Sequence, residues 1–412
     1  MHARCIYTVY MDARQEKGIA LSRDKRIKNI AGSTWAVPSQ NSEDTAYLVN
    51  LATGVCSCPD FELRRVRCKH LIAVEIVRTV ETKADGSKIV TESVKVTRKT
   101  YVQDWPRYNA AQCAEKETVQ ILLRGLCDGI ATPAHPGRGP KPISYSDAIF
   151  GMAMKVYGGL SARRSTTDIK ACAAEGHMSR APHYNIILAA FDKPEMTPIL
   201  INLIEQSAKP LASIETSFAA DSTGFGTQTY RRWFDAKYGK EMSEAVWLKC
   251  HAMVGTTTNV VTSVHVTDSN GADSSQLPAL VESTAQRFRM CEVSADKAYL
   301  GHANLAAIES VGAVPYVPFK TNSRDGGSPA WRRMWAHFLL RQEDFLAHYH
   351  KRSNVEATFS AIKRKFGASV RSKRYVAQVN EILCKILLHN LTCLVHAMHE
   401  LGIEPSFAQV SA

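Results

Sequence analysis

One carboxylate in the last quarter of the chain stands among cationic and aromatic residues at regular spacing. The residues are Tyr349, Arg352, Glu356 and Lys363. At about 100° per residue, a helix would bring the last three within roughly 60° of Tyr349, whereas a strand would scatter them over both faces. One such surface suits a catalytic metal beside a phosphate backbone. The alternative is an amphipathic helix whose charged side is only solvated, so partners must come from elsewhere in the chain.

Four soft metal ligands form a second pattern, in which Cys56, Cys58, Cys68 and His70 lie within one short segment. Zinc favours a closed tetrahedron of thiolate and imidazole ligands in structural sites, and two close ligand pairs can supply it. A strand-like run precedes the ligands and an apolar, helix-like run follows them. The pattern predicts one structural Zn²⁺, with ordinary reduced cysteines as the alternative.

Basic residues surround these ligands, and they either contact phosphate or form a solvated loop. They are Arg64, Arg65, Arg67 and Lys69.

Composition points to a polyanionic partner. The 412 residues include 51 lysines and arginines against 39 aspartates and glutamates, which favours nucleic acid. The first 30 residues have no uninterrupted apolar run, so we expect neither a signal peptide nor a membrane span and place the protein in the cytoplasm, associated with the nucleoid. Residues 376–401 are mostly apolar but interrupted by polar side chains, which predicts a closing core helix or a dimer surface.

Three regions are expected, namely residues 1–100, 101–208 and 209–412. The middle region looks helical, with a linker at residues 131–142, where proline and glycine are dense. Ser161 could cap a helix that ends before Gly176, and Ser179 could cap a second one. Such a pair fits a DNA-binding helix-turn-helix, although any helical bundle joined through glycine looks similar.

In the third region, the spacing of apolar residues changes from a helical period to a strand-like one. Strand-like runs at residues 213–220, 247–254 and 259–267 are followed by helix, strand, helix, strand and a final helix. This order predicts an α/β domain with a mixed five-stranded sheet and helices, as in the RNase H-like fold. In that topology the first and fourth strands are neighbours. Asp221 at the end of the first strand and Asp296 after the fourth would then meet, with Glu356 above them on the last helix.

Three segments of this region resemble the catalytic blocks of DDE transposases from bacterial insertion sequences, nearest to the IS-four and IS-five groups. They are residues 218–224, residues 294–301, and the spacing from Tyr349 to Lys363. The resemblance covers roughly residues 105–400, and the short interval between Asp296 and Glu356 favours the IS-five-like group. Residues 30–78 closely resemble a SWIM-type zinc finger. Such fingers bind DNA or protein, and the finger lies outside the catalytic pattern.

The resemblance implies phosphodiester chemistry with two Mg²⁺ (or Mn²⁺) ions about 4 Å apart. Asp221 would bridge the ions, and Asp296 and Glu356 would each complete one. Tyr349, Arg352 and Lys363 would contact the transposon end near the scissile phosphate.

The implied partners are double-stranded DNA, both transposon ends and target, and a second copy of the chain in a homodimeric synaptic complex. Two alternatives stay open. One is a transposase-derived DNA-binding or adaptor protein whose catalysis has lapsed, and the other is an RNase H-like nuclease without strand transfer.

Other charged residues of this region have plainer explanations. Asp268 and Asp273 flank an Asn-Gly turn and are expected to be turn residues. The charged run at residues 230–240 forms either a DNA-facing loop or a solvated hairpin. The basic run at residues 363–374 is the best candidate for nonspecific contact with the DNA backbone.

Overall fold

The computed structural model describes residues 13–22, 24, 26–39, 45–64, 67–77, 80–82, 88–90, 104–134, 137, 142–227, 247–405 and 407. The chain divides into two compact units, Met1–Val102 and Gln103–Ala412. The charged run predicted at residues 230–240 lies outside the described residues.

The first unit contains a four-stranded antiparallel sheet with strands in chain order. Its elements are α1 (Ala13–Ser22), β1 (Lys28–Ala31), β2 (Thr34–Pro38), β3 (Ala46–Asn50), β4 (Val55–Cys56), α2 (Pro59–Arg64), α3 (Lys69–Val77), β5 (Val80–Thr82) and β6 (Lys88–Val90). Gly54 has a φ of 65° in the turn between β3 and β4, a conformation that glycine adopts without strain. Val37, Val49 and Val74 are fully buried, so the sheet and α3 share one small core.

The second unit begins with five helices. They are α4 (Trp105–Cys127), α5 (Tyr145–Tyr157), α6 (Thr166–Ala174), α7 (Tyr184–Phe191) and α8 (Met196–Ala208). The expected pair of helices around Gly176 exists, but both predicted caps were wrong. Helix α6 follows Ser165 and not Ser161, and Ser179 does not cap the second helix. The backbone N–H and hydroxyl of Ser179 donate to Asp147, and α7 is capped instead by His183, whose Nδ1 accepts from the N–H of Asn185 at 3.3 Å.

A mixed five-stranded sheet follows, as predicted. Its strands are β7 (Ser217–Gly226), β8 (Trp247–Gly255), β9 (Val261–Thr267), β10 (Glu292–Ala295) and β11 (Val314–Tyr316), in the order β11-β10-β7-β8-β9. The first three strands are antiparallel, and β10 and β11 run parallel to β7. The first and fourth strands are therefore neighbours, and Ala220 is the register partner of Ala295.

Helices alternate with the later strands and then close the unit. They are α9 (Asp273–Ala285), α10 (His302–Ser310), α11 (Pro329–Leu340), α12 (Gln342–Tyr349), α13 (Ser353–Phe366) and α14 (Tyr375–Leu401). Neighbouring residues of β7 identify the two faces, because successive side chains of a strand point oppositely. Asp221 contacts the segment before α13, and Ser222 contacts α9. Helices α9 and α13 therefore cover opposite faces of the sheet.

Helix α14 is a core helix. It is long and apolar enough to cross a membrane, but 72% of its apolar window is buried inside the protein. The amide of Asn390 accepts from the backbone N–H of Val261 at 2.8 Å and donates to the carbonyl of the same residue at 2.7 Å. This satisfied buried amide joins the helix to the start of β9.

Candidate functional site

Two of the predicted carboxylates lie at neighbouring positions of the sheet. Asp296 directly follows β10, and Ala295 pairs with Ala220, so Asp296 comes next to Asp221 across the two parallel strands. The expectation that Asp221 ends its strand was wrong, because β7 continues to Gly226 and pairs Asp221 with Ala252 of β8. Asp221 thus lies inside β7 and is paired with β8, which fixes its backbone more firmly than a strand end would.

The third predicted carboxylate faces these two from a helix. Glu356 stands in the first turn of α13, and Arg352 joins it to the sheet. The Nη1 of Arg352 donates to Asp221 Oδ2 at 2.7 Å, and its Nη2 donates to Glu356 Oε1 at 2.5 Å. One guanidinium therefore lies between two carboxylates that come from residues far apart in the sequence.

Burial dominates the electrostatics of Asp221. It raises the pKa of this carboxyl, the nearby charges of Asp296 and Glu356 raise it further, and the N–H of Ser222 and the Arg352 charge lower it in part. The three carboxylates thus repel one another, and the site favours a cation among them. Carboxylate oxygens are the ligands that Mg²⁺ and Mn²⁺ prefer, so the donor set fits a hard divalent cation.

The four residues from Tyr349 to Lys363 do not share one continuous helix, contrary to the prediction. Tyr349 ends α12, Arg352 ends a 3₁₀ turn at His350–Arg352, and only Glu356 and Lys363 stand on α13. The turn nevertheless keeps Arg352 in contact with Glu356 four residues later.

Lys363 and Tyr349 flank this cluster without entering it. The Nζ of Lys363 donates to Thr223 Oγ1 at 2.6 Å and lies 5.4 Å from the ring centre of Phe225, both on β7. Tyr349 is half-buried and packs with Tyr316 and Phe345 in a small aromatic cluster. The structure therefore brings Asp221, Asp296, Glu356 and Arg352 together, and it places Lys363 and Tyr349 at their edge.

A partly buried polar cluster lies behind Asp221 on the other face of the sheet. Asp273 accepts from Lys249 at 3.0 Å, its Oδ1 lies 3.2 Å from Nδ1 of His251, and it also bonds the Ser222 hydroxyl. Asp273 is the first residue of α9, so its interpretation as a turn residue was wrong. Asp268 does form its turn, accepting from the N–H of Asn270 at 2.9 Å. Proximity in sequence to an Asn-Gly pair concealed the role of Asp273.

Segment 363–374, the predicted basic run, is anchored by two buried residues of α14. Lys385 donates from Nζ to the carbonyls of Gly367 and Ser369, at 2.8 and 2.7 Å. Glu381 accepts from the backbone N–H groups of Arg371 and Ser372. The backbone after Gly367 is held by these two residues of α14, and the side chains of the three basic residues after Gly367 are exposed. They are Arg371, Lys373 and Arg374.

The first unit unites all four predicted soft ligands. One ligand atom from each of Cys56, Cys58, Cys68 and His70 lies within 4.8 Å of the others, and all four residues are buried. Neither ring nitrogen of His70 has a hydrogen-bond partner, although buried imidazoles normally have one. Among the described residues, no other group of three or more potential ligands is as compact. This cluster fits a structural zinc ion.

The basic residues beside these ligands differ in their surroundings. Arg67 forms an ion pair with Glu75 of α3, so its charge is partly neutralised. Lys69 begins α3, and Arg65 lies outside the described residues.

Comparison with known protein families finds a different match for each of these two parts of the chain. A family model for the transposase DDE domain matches residues 213–391, and one for the SWIM zinc finger matches residues 47–78. No curated protein matches the chain. The first match spans the sheet and the three carboxylates, and the second spans the Cys₃His cluster.

Proposed function

We propose that this chain, which carries a transposase DDE domain and a SWIM zinc finger, is a metal-dependent DNA transposase that cleaves transposon ends and joins the 3′ hydroxyl to target DNA. One observation carries the proposal. Asp221 and Asp296 occupy neighbouring strand positions, and Glu356 reaches Asp221 through a shared guanidinium. Three carboxylates and one cation at one place suit phosphodiester chemistry better than they suit a purely structural role.

Asp221, Asp296 and Glu356 would hold the Mg²⁺ or Mn²⁺ ions, with Asp221 as the shared ligand. When bound, two such ions supply activation of the attacking oxygen and neutralise charge on the departing 3′ oxygen. The protein's own residues then bind and orient the DNA. Arg352 can contact a phosphate oxygen through two N–H groups at once, whereas Lys363 acts as a point charge. Tyr349 supplies an aromatic face beside them.

The partners follow from the same residues. Double-stranded DNA would lie across the three carboxylates, and the exposed side chains of Arg371, Lys373 and Arg374 would contact its backbone. Joining requires two transposon ends at one place, so we propose a homodimer in the synaptic complex. The protein would act in the cytoplasm on the nucleoid. The finger, with its zinc ion, would contribute recognition of DNA or of a protein partner.

The test uses labelled DNA carrying the inverted repeats that flank the reading frame, incubated with the full chain and Mg²⁺. Wild type should cut the repeat ends and yield joined products. Asp221→Ala should lower the cleavage rate by about 100-fold or more while it retains DNA binding. Asp268→Ala, which changes an exposed turn carboxylate of the same domain, is the matched control and should cleave normally.

The other outcomes identify the alternatives. Binding without any cleavage by wild type would indicate a DNA-binding or adaptor protein and overturn the proposal. Nicks without joined products, under conditions that support pairing of two ends, would indicate a nuclease. Equal cleavage by wild type and Asp221→Ala would show that this carboxylate cluster is not the active site.

A further inference from the structure

A turn, and not a continuous helix, carries Arg352 to the two carboxylates. Helix α12 ends at Tyr349, the 3₁₀ turn His350–Arg352 follows, and α13 begins at Ser353. A continuous helix would fix the direction of Arg352 by its own hydrogen bonds, whereas so short a turn does so only weakly. Contacts from outside the turn must therefore hold it in place.

Glu292 supplies such contacts on both sides of the break. Its side chain is 11% exposed, and its two oxygens bind His348 Nδ1 and Lys351 Nζ. His348 belongs to α12, and Lys351 directly precedes Arg352. Burial disfavours the charge of Glu292, but hydrogen bonds from Lys351, Ser217 and His348 prevail and lower its pKa below the ordinary value. The carboxylate is therefore ionised at neutral pH and binds both Lys351 and the His348 ring.

The anchor of this contact is the sheet itself. Glu292 begins β10 and pairs in register with Ser217 of β7 and Val314 of β11. Tyr316 of β11 stacks on the His348 ring, with centroids 4.4 Å apart and planes 6° from parallel. The strand that leads to Asp296 therefore also holds the turn that leads to Glu356.

We propose that Glu292, His348 and Lys351 are positioning residues, which set Arg352 and the start of α13 against Asp221 and Asp296. The proposal rests on the proposed function, because its effect is expressed in the cleavage step. The three residues touch no DNA and no reacting atom in this scheme. They act by fixing the orientation of the turn that carries Arg352.

Cleavage kinetics provide the first test. Glu292→Gln should lower the single-turnover cleavage rate at saturating DNA by about tenfold to 100-fold, since small misplacements of catalytic groups have effects of this size. Its affinity for transposon-end DNA should be unchanged. Lys351→Arg should restore most of the rate that Lys351→Met loses. A normal cleavage rate in folded Glu292→Gln would overturn the proposal.

A matched control removes a similar ion pair far from the turn. Glu205 and Arg287 lie 2.9 Å apart, with side chains 14% and 22% exposed. Glu205→Gln should lower thermal stability about as much as Glu292→Gln does, yet cleave at the wild-type rate. A similar loss of cleavage in both variants would mean that general destabilisation explains the effect, and the positioning role would be excluded.

Thermal unfolding gives a readout that needs no catalysis. Glu292→Gln, Arg352→Gln and the double variant are compared in the full chain. Glu292 and Arg352 share no partner, so independent effects on the melting temperature should add. If Glu292 acts on Arg352 through the turn, the melting temperature of the double variant should fall by less than the sum of the two single decreases. Strict additivity would overturn the proposal. If wild type cleaves no DNA, the proposed function fails, while this cycle still decides whether Glu292 controls the turn.

Discussion

The chain contains two candidate metal sites that are built in opposite ways. In the finger, four soft ligands from one short segment, Cys56 to His70, lie within 4.8 Å of one another and are buried. On the face of the sheet covered by α13, carboxylates from three distant segments meet, Glu356 is 45% exposed, and Arg352 stands between two of them. The finger can hold one structural ion with protein ligands alone. The carboxylate site is open at Glu356, and Arg352 offsets only part of its negative charge.

The difference fits the role proposed for each site. A structural zinc site is closed by protein ligands, whereas a catalytic site keeps positions open for substrate. In the finger, hydrogen bonding from Cys56 lowers the pKa of the Cys68 thiol, which favours the thiolate form that binds a metal. At the carboxylate site, burial raises the pKa of Asp221, so that a cation beside Asp221 stabilises its ionised form. The comparison leads to four predictions.

The largest effect should come from removing the finger's ligands. The variant Cys58→Ser, Cys68→Ser should lose its zinc and the ordered structure of the finger, because structural zinc contributes about 10–16 kcal/mol to the folding of small zinc domains. Metal analysis and limited proteolysis measure this, and the second unit should stay resistant to protease. Cys113→Ser, at an exposed cysteine, is the control. An unchanged zinc content in the double variant would refute the Cys₃His site.

Acid should destabilise the second unit through His389, which belongs to neither candidate metal site. Burial lowers the pKa of His389 from 6.5 to about 4, and the ring bonds the Asn259 carbonyl at 2.8 Å. The unfolded chain therefore binds a proton first as the pH falls from 6.5 towards 4, which destabilises the fold by up to about 3 kcal/mol. Above pH 6.5 the ring is neutral in both states and has no such effect.

Urea unfolding of wild type and His389→Gln at pH 7.5, 6 and 5 tests this sign. The difference in the free energy of unfolding between the two proteins should shift in favour of the variant as the pH falls. Parallel curves over this range would contradict a neutral buried His389.

The third prediction concerns Arg352 as the counter-charge of the open site. Without DNA, Arg352→Gln should bind Mn²⁺ about tenfold more tightly than wild type, because the cation no longer competes with a guanidinium for Asp221 and Glu356. Calorimetry or electron paramagnetic resonance measures the affinity. Arg333→Gln removes an arginine that pairs with Glu309 instead, and its Mn²⁺ affinity should equal that of wild type. Weaker Mn²⁺ binding by Arg352→Gln would show that Arg352 assists the ion.

The smallest effect should be that of Asp221→Asn on stability. A raised pKa in the folded state means that folding disfavours the ionised carboxyl, so its neutral replacement should change the free energy of unfolding by only about 1 kcal/mol at pH 7. Urea unfolding measures the change. A loss of more than about 3 kcal/mol, the size expected when a buried ion pair is broken, would mean that the Asp221–Arg352 contact stabilises the fold.

The strand order and the zinc cluster were predictable because each depends on local patterns. The valine-rich and threonine-rich runs marked the strands, and the close pairs Cys56–Cys58 and Cys68–His70 marked the ligands. With the strand order known, the meeting of Asp221 and Asp296 followed from topology alone. The family matches at residues 213–391 and 47–78 confirm a DDE domain and a SWIM finger in these two parts of the chain.

Features that depend on tertiary contacts were not predictable from the sequence. Helical periodicity continued through residues 350–352, but Glu292 binds Lys351 and His348 there, and a 3₁₀ turn replaces the helix. Ser179 has the residue type of a cap, yet Asp147 takes its hydroxyl. In both places a distant carboxylate overrides the local preference, and nothing in the neighbouring sequence signals it.

The anchoring of segment 363–374 bears on how the protein can change over evolutionary time. Lys385 and Glu381 hold that segment through backbone carbonyl and N–H groups, and these groups are the same for every amino acid other than proline. Arg371, Lys373 and Arg374 can therefore be exchanged without loss of the supporting contacts. The exposed surface can change while the core beneath it stays the same.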